Sequence, residues 1–239
     1  MTHLSQPAAL TSQSGIPYAS GFGRALQSPL TFGLLLSGGV GSVLFTVIYL
    51  LVGVTRPGYD AWQQPVSALS LGPGGWVEQA NFIGFGLLLI VSSVGWYRLL
   101  RPGPSAIWFL LIQSLAGLCL IGAGFFSMDA FPGYPPGTTT TASTAHGTLH
   151  TIFAFTLIIA LAESCFILAA YFGRILRWRG WAAYSIIAGV LMLIFWGAFI
   201  YSPLGPVAGL VERLSAGSHD LWMCALLVML WFQRRSQRA

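Results

Sequence analysis

Two histidines, His146 and His150, stand four residues apart in the stretch HGTLH, at the head of a long apolar run. On a helix this spacing sets both rings on nearly one face. Zinc-binding helices present two ligands in this way, and a third ligand must come from elsewhere. Asp129 supplies a carboxylate at a matching level, with Glu212 as a further candidate. HGTLH lacks the internal Glu that makes HExxH a hydrolase signature. Three readings therefore stand at the level of sequence. His146, His150 and Asp129 hold a catalytic zinc, with Asp129 and His150 nearest the chemistry. Or the two histidines bond loop carbonyls and Asp129 at a wet helix end capped by Ser143 or Thr144. Or the pair takes part in proton-linked or headgroup binding.

The elements that position these residues are membrane spans. The 239 residues are 55% hydrophobic and only 7% charged. Soluble domains carry about 25% charged residues, so the solvent for most of this chain is lipid. Six apolar segments reach the length of about 20 residues that a bilayer core requires. They are Thr31–Val54, Val77–Leu99, Ser105–Ser127, Gly147–Phe172, Trp181–Tyr201 and Leu214–Phe232. Solid blocks such as LLLSGGVGSVLFTVIYLLVGV, without strict alternation, exclude a β-barrel. The expected fold is all-α, a single six-helix transmembrane bundle over 29–235. Residues 1–28, rich in Ser, Gly, Pro and Gln, read as a flexible cytoplasmic tail, and 236–239 as a basic one. Gly33, Ser37 and Gly41 recur at a spacing that lets helices approach closely in lipid. Cys119, Cys165 and Cys224 lie in apolar runs without a CxxC, so they read as small apolar fillers.

Arginine placement sets the expected orientation. With a cytoplasmic N-terminus, Arg24, Arg98, Arg101, Arg174, Arg177, Arg179, Arg234, Arg235 and Arg238 fall inside, and only Arg56 and Arg213 outside. That bias predicts both termini in the cytoplasm. Arginines at the ends of apolar runs read as topology rather than as a nucleic-acid stripe. No Walker motif, GxGxxG or CxxCH appears, so nucleotide, dinucleotide and c-type haem roles have no support. The two long connections, Thr55–Trp76 and Met128–His146, then both face outward, where function concentrates.

Depth sorts the polar residues into two layers. Measured at about 1.5 Å per residue from the arginine ending each span, His146 and His150 lie roughly 42 and 36 Å up, Asp129 roughly 42 Å, Glu212 and Arg213 roughly 33 and 31 Å, and Glu78 roughly 30 Å. This outer layer is the expected ligand site, with Arg56, Tyr59 and Ser67 joining it from the first loop. Glu212 and Arg213 point about 100° apart on a helix, so each needs another partner. Asp60 or Asp129 suits Arg213, and Arg56 or a histidine suits Glu212. Arg213 can also hold a lipid phosphate or carboxylate in a bidentate fork. Gln113, Glu163, His219 and Asp220 form a deeper layer near mid-membrane, where Glu163 is expected either to bond Gln113 or His219 as structural glue or to handle protons or solute. His219 sits about 14 Å below His150, too far to share an ion with it.

In order along the chain stand RPGYDAWQQPVSALSLGPGGWVEQANF, MDAFPGYPPG, HGTLH and GLVERL. The series resembles the bacterial integral membrane family known as domain of unknown function 998, over about residues 30–235. The matching positions are Arg56, Pro57, Gly58, Tyr59, Ser67, Leu69, Gly75, Trp76, Asp129, His146, His150, Glu212 and Arg213. The resemblance implies a six-helix membrane protein with a polar cluster on its outer face, and it carries no assigned reaction. A more distant resemblance links the cluster to the membrane hydrolases related to alkaline ceramidases and adiponectin receptors, which set a Ser, an Asp and three His around zinc in seven helices. This chain offers Ser67, Asp129 and a two-His pair, but six spans and a third His at the wrong depth. The expectation is an outer-face pocket that binds a lipid headgroup or small amphiphile, with membrane lipid as partner. The rival is a zinc-dependent hydrolase of a lipid amide or ester.

Overall fold

The computed structural model describes residues 17–141, 143–203 and 205–237. Seven α-helices follow in order: α1 Pro17–Gln27, α2 Pro29–Thr55, α3 Trp76–Leu100, α4 Pro104–Phe125, α5 Ala145–Gly173, α6 Arg179–Tyr201 and α7 Ala208–Ser236. No strand occurs among the described residues. Six helices, α2 to α7, are long and apolar enough to cross a membrane. The all-α six-span architecture expected from hydropathy is the architecture observed.

Local chemistry sets the helix starts. Ser28 caps α2, its Oγ accepting from the Thr31 N–H, and Pro29 occupies the first turn where a missing N–H costs nothing. Thr144 caps α5 by accepting from the Gly147 N–H. Helix α7 begins at Ala208, six residues before the expected Leu214, so Glu212 and Arg213 lie within its first two turns. Polar GLVERL lowers the hydropathy there, and this first turn packs on the first long loop, with the Leu210 N–H donating to the Trp62 carbonyl at 3.1 Å.

Each of α2 to α7 packs on its chain neighbours, and α2 also packs on α7, closing a ring. Large apolar side chains such as Leu51, Ile107, Leu118, Ile194 and Phe232 point outward, as lipid-facing residues do. Lipid tails are as apolar as leucine, so close packing rather than burial from water holds the ring. Of the small-residue series in α2, Ser37 bonds the Leu88 carbonyl and Gly41 lies against Phe85 and Leu88, while Gly33 touches nothing. The three cysteines are unpaired; Cys119 and Cys165 are buried.

The core has two halves. At the arginine-rich end, Trp96, Leu99, Leu100, Phe109, Phe172 and Trp222 are fully buried. Toward the other end, Phe45, Phe82, Phe85, Leu120, Leu161 and Trp196 form the second half. The expected flexible tail over 1–28 needs correction for its second part. Residues 17–27 form α1, with Phe22 and Leu26 buried in the first core. Phe22 meets Trp178 edge-on at 4.6 Å, and Gln27 donates to the Arg234 carbonyl at 3.0 Å. Alternating small and aromatic residues give α1 one apolar face despite its polar composition. Residues 1–16 and Arg238 lie outside the described residues.

Candidate functional site

The first long loop, 56–75, is held down by two side chains of α7, Arg213 and Glu212. Arg213 donates to the carbonyls of Ala61 at 2.7 Å and Gln64 at 3.0 Å, to Gly209 in its own helix at 2.8 Å, and to the Tyr59 hydroxyl. Its guanidinium also lies 5.6 Å from the Tyr49 and Tyr59 ring centres. Glu212 accepts from the Val66 N–H at 2.6 Å. Tyr59 in turn donates toward the carbonyls of Gln64 and Pro65. Burial pushes its hydroxyl above the ordinary tyrosine range, with Arg213 opposing part of the rise. Arg56 serves the loop's second half, donating to the Leu69, Leu71 and Pro73 carbonyls. A Cβ at Gly209 would stand 2.2 Å from the Gln64 carbonyl oxygen, so only glycine lets the loop come this close.

These contacts correct the expected pairings. Neither Asp60 nor Asp129 meets Arg213, and Arg56 does not meet Glu212. Asp60 instead accepts from the Trp62 N–H within its own turn. Arginine and glutamate here replace the missing secondary structure of a loop, whose backbone carbonyls and N–H groups need partners near lipid.

A separate arrangement stands at the start of α5. Asp129 accepts from the Thr144 N–H at 3.1 Å and the Thr144 hydroxyl at 2.6 Å, and Thr144 in turn caps the helix. Its carboxylate lies flat over Gly147, where a Cβ would stand 2.0 Å from Oδ2. A negative charge at a helix N-terminus is also favourable to the helix dipole. The two histidines part company. His146 is exposed and lies edge-on to Phe126, with ring centres 5.3 Å apart. His150 is only 5% exposed, and its Nδ1 bonds the Phe126 carbonyl at 2.7 Å and the Ala123 carbonyl at 3.2 Å. It thereby caps the end of α4. A ring nitrogen bonded to carbonyls must carry the proton, so in the neutral ring Nε2 is left as an acceptor.

His150 and Glu212 meet across a cavity inside the ring, bounded by α2, α3, α4, α5, α6 and α7 and roofed by Val66 and Ser67. The cavity offers about 80 Å³ to water-sized molecules, room for several at roughly 10–15 Å³ each. On α7, Glu212, Ala216 and Asp220 follow at four-residue steps, so the cavity descends about 12 Å from the loop toward mid-membrane. Its walls are mostly apolar, with Phe45, Phe82, Leu157 and Leu161 among them. The polar atoms on it are mainly acceptors: the carboxyls of Glu212 and Asp220, and the free nitrogen of His150. The indole N–H of Trp196 is buried there with no partner among the described residues.

The outer cluster expected from depth is therefore not one constellation. Asp129 and His146 lie on one side at the α5 start, Arg56, Tyr59 and Arg213 on the other in the loop clamp. His150, Ser67 and Glu212 join the cavity between them. Among the described residues, no three His, Cys, Asp or Glu side chains come together as a metal would need. The zinc set of His146, His150 and Asp129 is corrected on that ground: His150 spends Nδ1 on carbonyls, and Asp129 spends both oxygens on Thr144.

The deeper layer also separates. His219 and Asp220 are buried, with Nδ1 and Oδ1 3.6 Å apart, and the Thr46 hydroxyl bonds Asp220 at 3.3 Å. Gln113 is buried with both amide atoms unpartnered among the described residues. Glu163 bonds neither Gln113 nor His219. It is exposed on the lipid-facing side, in a shallow groove with Trp108, Ile112 and Phe166. The expectation of glue between three helices fails there because Glu163 projects away from the bundle axis, a direction that depth along the chain does not contain.

Two residues escaped the sequence reading. Trp196 was hidden among nine tryptophans in apolar surroundings. Asn81 carried a usable signal, a second polar residue three positions after Glu78 in an apolar span. Glu78 is fully buried, and Asn81 bonds both its carboxyl and the Phe45 carbonyl.

Comparison with known proteins places these features in a family. A family model described as "Protein of unknown function (DUF998)" matches residues 39–229, from within α2 to within α7. No curated protein and no solved structure gives a significant match.

Proposed function

The chain belongs to the DUF998 family of proteins of unknown function, and from that premise we propose that the cavity beneath its first long loop binds the polar end of a small amphiphile or membrane lipid. The carrying observation is the excess of acceptors on an otherwise apolar wall. Glu212 and Asp220 each accept one hydrogen bond and the Nε2 of His150 none, so all three have capacity for a further donor, and Arg213 is already committed to loop carbonyls. The favoured head is therefore an amine or hydroxyl rather than a phosphate or carboxylate, with the tail lying along Phe45, Phe82 and Leu161. Ser67 and Val66 form the roof, and Arg56, Tyr59, Glu212 and Arg213 hold that roof in place. Asp129 and His146 set the start of α5, and through it the position of His150.

The test fills the cavity without breaking a hydrogen bond. Ala216→Leu adds bulk at its centre. Purified protein in neutral detergent is melted with dodecylamine, dodecanol or dodecanoate. Dodecylamine and dodecanol should raise Tm in the wild type and leave the variant unmoved. An equal rise with dodecanoate in the wild type, or an undiminished rise in the variant, sinks the proposal.

The same reading sets the loop-bearing face outside the cytoplasm of a bacterium, with the chain in its inner membrane. Support comes from the arginines gathered at the opposite end of the bundle. A C-terminal fusion to a phosphatase active only outside the cytoplasm should be silent; activity would reverse the orientation.

A further inference from the structure

At the arginine-rich end of the bundle, a second cavity opens between the α3–α4 link and the end of α5. It offers about 230 Å³ and is lined by Pro102, Gly103, Pro104, Ser105, Tyr171, Arg174 and Ile175. It lies at the opposite ends of α4 and α5 from His150 and is independent of the function proposed above.

Several observations there concern one type of ligand. Helix α4 starts at this cavity without a side-chain cap, because its N-cap is Gly103. Pro104 has no N–H, and the Ala106 N–H turns back to the Gly103 carbonyl. That leaves the Ser105 N–H without a backbone acceptor among the described residues, at the positive end of a 22-residue helix. Ser105 is only 9% exposed and its hydroxyl bonds nothing among the described residues, so this one largely buried residue brings two unused donors to the cavity wall. Arg174 adds a guanidinium with no hydrogen bond or ion pair among the described residues. The carbonyl end of α5 also faces this region, but its Tyr171 and Phe172 carbonyls accept from the Arg174 N–H.

Charge on this face is all of one sign. Arg101, Arg174, Arg177, Arg179, Arg234 and Arg235 gather at this end. All 6 acidic residues of the chain, Asp60, Glu78, Asp129, Glu163, Glu212 and Asp220, stand at mid-membrane or toward the other end. The prolines, Tyr171 and Ile175 give the cavity apolar walls of the kind a glycerol backbone and the first acyl carbons pack against.

We propose that this cavity binds the phosphate group of an acidic phospholipid from the leaflet it faces, through the N–H and hydroxyl of Ser105 and the guanidinium of Arg174. Phosphate suits the donors because its oxygens accept from all of them at once, and a helix N-terminus beside an arginine is a well-formed site for it. The acidic headgroup outweighs a zwitterionic one because no Asp or Glu side chain lines this cavity to receive a choline or an amine.

The test uses the full chain in nanodiscs of phosphatidylglycerol or of phosphatidylcholine, followed by release into detergent and native mass spectrometry. The wild type should retain phosphatidylglycerol in preference to phosphatidylcholine. Arg174→Gln should cut that retention at least about tenfold, and Ser105→Ala should cut it by a smaller factor. Arg177→Gln removes the same charge from the same face, outside the cavity and over the Trp178 ring, and should change retention little. Equal losses in Arg174→Gln and Arg177→Gln overturn the site in favour of a diffuse surface field. Equal retention of the two lipids by the wild type overturns it outright. Inorganic phosphate at millimolar concentration is the second arm. If it raises Tm in the wild type and not in Arg174→Gln, the phosphate site holds with a free anion as the source. Melting of each variant without ligand confirms that it is folded.

Discussion

Replacing Arg213 by glutamine removes the fork that ties α7 to the first long loop. Three acceptors on that loop lose a charged donor: the carbonyl of Ala61, the carbonyl of Gln64, which keeps the Tyr59 hydroxyl, and that hydroxyl itself. Hydrogen bonds from a charged donor contribute about 1.5–3 kcal/mol each net of solvent, and the glutamine amide restores part of them, so the loop loses about 3 kcal/mol of local stability. That corresponds to roughly a hundredfold increase in loop opening. Amide hydrogen exchange in micelles reads it directly. The Val66 amide is the best reporter, because Glu212 holds it from the helix turn beside Arg213. Exchange at residues 59–66 should rise by roughly that factor, while exchange in α3 and α4 stays unchanged. If exchange in the loop stays within about threefold of wild type, the clamp is not what holds the loop. An Arg213 whose role was to grip a lipid phosphate would give that outcome. The clamp also has a pH signature. Burial raises the Tyr59 pKa above its ordinary value, so the folded state favours the neutral phenol. Its contribution is complete below the unfolded tyrosine value of about 10 and declines as pH rises beyond it.

Gly147→Ala would place a methyl 2.0 Å from Asp129 Oδ2, forcing the carboxylate off Thr144. Loss of that supported cap should cost about 1–2 kcal/mol in thermal or denaturant unfolding, and an unchanged midpoint would show that Asp129 does not brace α5. Glu163→Leu should leave stability intact or raise it by about 2 kcal/mol in a nanodisc, because an acidic side chain is removed from a lipid-facing position at mid-helix. A clear drop in Tm would mean that Glu163 has a partner within the folded chain.

The number of spans was legible because a bilayer allows few solutions. Backbone groups in lipid must be satisfied within the helix, and each crossing needs about 20 apolar residues. Composition alone thus yields α2 to α6 with small errors at their ends. Helix α1 and the first turns of α7 were not legible, since both are polar enough to read as tail or loop. Burial of Phe22 and Leu26 against Trp178 and its neighbours makes α1, and contact of Gly209 with the first loop's carbonyls secures the start of α7.

Depth along the chain correctly grouped Asp129, His150, Glu212 and Arg213 near one end of the bundle. It is a single coordinate, however, and the rotation of each helix about its axis is another. Hydrophobic pattern reports that rotation poorly here, because both the packed face and the lipid face are apolar. Rotation turns Glu163 out toward lipid and Asp220 in toward the cavity, though both lie near mid-membrane. It likewise divides the HGTLH pair: one helical turn separates His146 at the exposed rim from His150, whose Nδ1 closes the end of α4. The amino-acid sequence determined a six-helix membrane fold and the level of each polar group, because hydropathy and helix rise suffice for both. Only the tertiary structure decided which of those groups face one another, because partners in a bundle are set by side-chain packing between helices distant along the chain.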